Sequence, residues 1–201
     1  MEFSYKKHDN RKLFSNLEDQ NLLQISQSQN YIPLYEKFFT INSTNYNNIN
    51  LNNRYNLHSI KLKETDNIFN GTVINQITGV KEKKNVFFKF SPLLDPIKYL
   101  IGKYDISNVN LLNLPKHINE KEVIQSHEKT QDPNNSAYID GFFTYLTSQM
   151  LHIHGFKHGL DFYGSFLALK NDFSVDIYDD IEYMSESDFF NKNKNIFYNI
   201  D

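Results

Sequence analysis

Between residues 57 and 90 the chain repeats one pattern three times: a short run of strand-forming residues, then a turn. His58-Ser59-Ile60-Lys61-Leu62-Lys63 alternates polar and apolar side chains, the mark of a strand with one buried face. Asn70-Gly71 reads as a tight turn and Thr72-Val73-Ile74 as the β-branched strand after it. Thr78-Gly79 with the charged Lys81 to Lys84 reads as a second turn, and Val86-Phe87-Phe88-Lys89-Phe90 as a third strand. Strands this close in sequence pair antiparallel, because a parallel pair needs a crossover of a dozen or more residues. The pattern predicts an antiparallel meander.

Two helices follow. Asp95-Pro96 supplies an N-cap and a first-turn proline for a short helix with Ile97, Leu100 and Ile101 as its apolar stripe, weakened at Gly102. Residues 105–133 read as a connecting insert in which Leu111 to Leu114 can dock and 120–132 is highly polar. Asn134-Asn135-Ser136 caps the best helix in the chain, 137–153, with Ile139, Phe142, Phe143, Leu146, Met150 and Ile153 at helical spacing. Gly155 stands where that helix should stop. Residues 160–169 and 173–177, around a turn at Asn171-Asp172, read as a strand pair.

The expected fold is therefore α+β: an antiparallel meander packed by one long helix, with the sheet running over 57–175. Residues 1–56 form an Asn-rich N-terminal extension, partly irregular. It has a short helical face at Leu13 and Leu17, an apolar run Tyr31–Phe39 able to dock, and a loop over 42–56. Residues 57–178 form the α+β domain, and 179–201 an acidic C-terminal segment.

Composition narrows the function. The chain has 201 residues and no cysteine, which excludes disulfide scaffolds, thiolate metal sites and thiol nucleophiles. A net charge of −3 gives no electrostatic case for a nucleic-acid or membrane partner. No signal sequence opens the chain, so an intracellular protein is expected. Its 27 asparagines, more than all glycines and prolines together, point to an AT-rich genome. Walker, dinucleotide, Gly-x-Ser-x-Gly and His-Glu-x-x-His motifs do not occur.

Three candidate chemistries remain. His152, His154 and His158 lie close together, at spacings compatible with a metal or with plain polar residues at a helix end. The acidic stretch from Asp176 to Asp188 lacks the glycine and alternating oxygen ligands of a calcium loop and reads as a solvated face. Lys89, inside an aromatic run on the third strand, must either reach water or meet an anion.

Lys89 also anchors a family resemblance. Val86-Phe87-Phe88-Lys89-Phe90-Ser91-Pro92-Leu93-Leu94-Asp95-Pro96 resembles a segment of the atypical serine/threonine kinase-like proteins of nucleocytoplasmic large DNA viruses. So do Asn135-Ser136-Ala137-Tyr138-Ile139-Asp140-Gly141-Phe142-Phe143, His158 through Phe166, and Asp179-Asp180-Ile181-Glu182-Tyr183. The resemblance covers roughly residues 84–201 and implies a kinase N-terminal lobe. Lys89 would then hold ATP phosphates, and Asp140 would be the long helix's only carboxylate, standing where kinases place glutamate. The catalytic loop, the Asp-Phe-Gly magnesium motif and the glycine-rich loop of kinases do not occur in this chain. The resemblance accordingly implies a lobe inactive alone, with a catalytic lobe elsewhere, ATP and Mg as cofactors of the whole, and a protein substrate or virion protein as partner. It also implies a location in host cytoplasm or virion. Two other classes stay open: a non-catalytic binding or virion structural module on the same lobe, and an unrelated enzyme using the three histidines.

Overall fold

The computed structural model describes residues 4–118 and 125–200. It is an α+β protein with antiparallel sheets and one long helix. The meander is present: β4 (Tyr55–Thr65), β5 (Ile68–Asn75) and β6 (Lys81–Phe87) pair antiparallel in that order. Two smaller sheets accompany it, so the single sheet expected over 57–175 is corrected to three. β1 (Tyr5–Lys7) pairs with β3 (Ile49–Leu51), and β2 (Ile25–Gln29) pairs with β7 (Leu167–Lys170), both antiparallel.

The meander's turns differ from those expected. Asn70-Gly71 is not a turn but the middle of β5; the chain reverses at Asp66-Asn67, where Asn67 adopts a left-handed φ of 65°. Asparagine tolerates that conformation by bonding locally with its short side chain. Gly71 serves a different end, since a Cβ there would stand 2.6 Å from Val86 Cγ2 across the sheet. Lys81 to Lys84 belong to strand β6, which ends at Phe87, so Lys89 lies just past the strand rather than at its centre. Register irregularities in β4 put Ile60 wholly inside and leave Leu62 56% exposed, although the alternation placed both on one face.

Helix α4 (Ser136–His154) is capped by Asn135 and ended by Gly155 in the left-handed conformation, as the sequence indicates. Its buried face is not the expected stripe: Tyr138, Phe142, Tyr145 and Ser148 point inward, and of the six apolar residues only Phe142 is fully buried. The expectation that α4 packs the meander is also corrected. Phe142, Tyr145 and Tyr138 bury against Ile32, Leu34, Tyr35, Ile49, Leu51, Phe162 and Leu167, mostly N-terminal residues. The meander's Ile60 and Phe69 are instead covered by Phe14 and Leu17 of α1 (Arg11–Asp19), with Leu23 and Ile25.

Residues 42–56 are not a plain loop, since they contain a 3₁₀ turn at Tyr46–Asn48, strand β3 and the start of β4. Buried asparagines hold this stretch. Asn53 donates to the Phe162 carbonyl at 3.1 Å, Asn45 donates to the Thr40 carbonyl, and Asn30 donates twice to Asn47, at 2.7 Å to its Oδ1 and 2.8 Å to its carbonyl. The strand pair expected over 160–177 reduces to β7, and 173–177 forms no strand. Helix α2 (Pro96–Leu100), opened by Asp95 as expected, precedes the insert and α3 (Glu128–Gln131) lies within it; residues 119–124 of the insert lie outside the described residues. Near the C-terminus, a 3₁₀ turn at Tyr178–Asp180 leads into α5 (Ile181–Ser185) and α6 (Asp188–Asn193), which bury Met184 and Phe190. Among the described residues no helix is long and apolar enough to cross a membrane.

Candidate functional site

Beyond β6 the side chains alternate in exposure. Phe88 and Phe90 pack on the meander core, Phe88 edge-on to Phe69 at 5.4 Å, while Phe87 is 63% exposed. Lys89 therefore points away from the aromatic core. Its Nζ meets Asp140 Oδ2 at 2.7 Å, and the two side chains are 61% and 45% exposed. The structure thus brings together the two residues singled out from sequence, in water rather than in apolar surroundings.

Asn135 fixes their alignment. Its Oδ1 accepts from the Ala137 N–H at the start of α4, and its Nδ2 donates to the Leu93 carbonyl at 2.9 Å, four residues after Lys89. One side chain thus caps the helix carrying Asp140 and holds the segment carrying Lys89. The pair sits in a wide, open groove of about 1890 Å³ between residues 86–100 and 160–181, with Gly141, Gly164 and Ser165 also on its wall. An exposed cation at such a mouth can bind an anion, and the carboxylate beside it orients the ammonium.

A second polar constellation lies at the other end of α4. His152 Nε2 stands 2.7 Å from Asp161 Oδ1, and Lys84 of β6 lies 4.0 Å from Asp161 Oδ2 and 3.4 Å from Glu82. The Lys84 ammonium covers the Tyr55 ring at 4.4 Å, and Tyr163 stands edge-on to Tyr55. Burial works against the Lys84 charge, yet Tyr163, Glu82 and Asp161 together push its pKa above the ordinary value. Burial, and then the Asp161 charge, raise that of Tyr163.

Sequence reasoning found His152 but not its carboxylate. The left-handed Gly155 turns the chain back, and Gly159 then lies so close to the helix that a Cβ would stand 2.4 Å from the Thr147 carbonyl. That return brings Asp161 to His152, a contact readable only if the glycine stop is taken as a reversal. His154 and His158 are exposed and do not join them. Among the described residues no group of three or more histidine, aspartate or glutamate side chains could hold a metal ion. The acidic residues Asp176, Asp179 and Glu186 are exposed, as a solvated face requires. Comparison with protein-family models, curated proteins and solved structures finds no match to this chain.

Proposed function

We propose that this chain is the nucleotide-binding-lobe portion of a virus-encoded serine/threonine protein kinase-like protein, with Lys89 as its phosphate-binding lysine and Asp140 as the carboxylate that orients it. The observation that carries this reading is the 2.7 Å contact joining a lysine just after a three-stranded meander to the one long helix. A kinase lobe pairs its phosphate-binding lysine with a glutamate on the long helix, and in this reading Asp140 stands in for that glutamate. An ATP phosphate fits Lys89, an exposed ammonium at the wall of an open groove. Among the described residues no group of three or more histidine, aspartate or glutamate side chains could hold magnesium by itself. Transfer would need the metal ligands and base of a catalytic lobe outside this chain, which alone is inactive. Host cytoplasm or the virion, and a protein substrate, follow from the same reading.

A second reading, a non-catalytic protein-binding or virion structural module, draws on the β4–β5 turn. There Asp66-Asn67 replaces a glycine-rich loop, and Asp66 is tied to Lys63 at 2.8 Å.

Titrating an ATP analogue into the full-length protein separates the two. An exposed ion pair contributes at most about 1 kcal/mol to stability, so Lys89→Ala and Asp140→Ala leave the fold intact. Binding by the wild type, lost in Lys89→Ala and weakened in Asp140→Ala, is the expected outcome. Equal affinities, or no binding by the wild type, would remove the nucleotide role.

A further inference from the structure

Helix α4 has two apolar faces, and the core uses one. Around the helix from Tyr138, Phe142 and Tyr145 runs a second stripe: Ile139, Phe143, Leu146, Met150 and Ile153. Leu146 leans partly on the core, whereas Ile139, Phe143, Met150 and Ile153 are 46, 63, 37 and 60% exposed. Their separations alternate between four and three residues, the seam of a coiled coil with its period of roughly 3.5. The stripe contains no charge. A contiguous apolar stripe of this kind on a protein surface marks a docking site.

We propose that the stripe is a homodimer interface in which α4 of a second copy of this chain docks antiparallel. The seam is complementary to itself in that arrangement. With the two-fold axis level with Ser148, Phe143 falls opposite Ile153 of the second copy and Leu146 opposite Met150, so a larger side chain meets a different one in each layer. Ile139 then reaches the chain just past the other Gly155, where Phe156 is 36% exposed.

Charge selects the same orientation. Asp140 and His154 border the stripe at opposite ends, and at about 100° per residue they lie within about 40° of one another around the helix. Antiparallel docking brings each Asp140 to the His154 of the other copy, twice per dimer. Parallel docking would put the two Asp140 side chains on opposite flanks of the seam, each away from the other copy's His154. Lys89 occupies Asp140 Oδ2, so Oδ1 remains to accept from the imidazole.

The absence of cysteine makes the test direct, because any introduced thiol is the only one. Sedimentation of the full chain should show a dimer. Phe143→Lys and Ile153→Lys should each weaken association about tenfold or more, with unchanged circular dichroism because both side chains are largely exposed. Phe143→Cys mixed with Ile153→Cys should give a disulfide-linked pair under oxidation, and neither variant alone should. A monomeric wild-type chain overturns the proposal and leaves the stripe to another partner. Self-crosslinking of each single thiol overturns the antiparallel arrangement, and a dimer indifferent to both lysines overturns the interface.

Discussion

The core beneath the meander and the core beneath α4 both draw on the N-terminal region, through different residues, and differ in chemistry and in reach along the chain. The first is built from Phe14, Leu17, Leu23, Ile25, Ile60 and Phe69, without a hydroxyl, and these residues all lie in the first third or so of the chain. The second contains Tyr35, Tyr138 and Tyr145 among its apolar residues, and joins segments from Ile32 to Leu167. Tyr138 donates its hydroxyl to the buried Thr130 carbonyl at 2.7 Å, and nearby Tyr31 donates to Glu36. A hydrocarbon core is indifferent to pH. A core that encloses phenols holds only while they stay protonated.

The largest expected effect follows from that difference. Burial raises the pKa of Tyr35, Tyr138 and Tyr31 above the ordinary value, with Glu36 raising that of Tyr31 further. Unfolded tyrosine ionises near 10, so the folded state binds more protons above that pH. The stabilisation is complete below about pH 10 and is lost as pH rises toward the folded values. Phenolate absorbance should therefore appear together with loss of the α4 helix signal. Ionisation at ordinary pKa values with the helix intact would break the comparison.

A smaller effect tests the other core. Leu17 is fully buried, and Leu17→Ala should cost about 2–5 kcal/mol in urea unfolding. If α1 were an appendage to the meander, the change would stay within about 0.5 kcal/mol. Smallest is Asn135→Ala, which removes the α4 cap and should cost about 1 kcal/mol. Because Asn135 also holds Leu93, the same variant should loosen the Lys89–Asp140 pair, seen as faster amide exchange over residues 89–93.

The contrast also explains what could be read from the sequence. The meander, the α4 cap and its glycine stop were legible because each is set by neighbours in the chain: the alternation at Ile60, the Thr78-Gly79 turn, Asn135 and Gly155. The buried face of α4 was not. Its apolar spacing fits two stripes, and the choice between them is made by Tyr35 and Leu51, about a hundred residues away. The Asn70-Gly71 misreading has a similar origin. The dipeptide suits a turn, but Val86 needs a residue without a side chain diagonally across from it, a demand visible only across the sheet. Of the candidate site, Lys89 was marked by its place in an aromatic run and Asp140 by the resemblance, and their contact follows from Asn135 bonding both segments. Asp161 was missed because its approach to His152 depends on the chain doubling back after Gly155.

The pairing of β2 with β7 sets a schedule for synthesis. The buried members of the meander core all precede Phe88 in the chain, so most of that core can gather while the rest is still being translated, and Phe166 and Ala168 pack against it last. Ile25 and Ser26, however, pair with Lys170 and Leu169. At roughly 5–20 residues per second, the β2 backbone waits on the order of ten seconds for its partner. Through that interval Ile32, Leu34 and Tyr35 also lack the helix that covers them. The nascent chain thus waits half folded, with a strand edge unpaired and three apolar side chains uncovered, and at that stage a chaperone has most to protect.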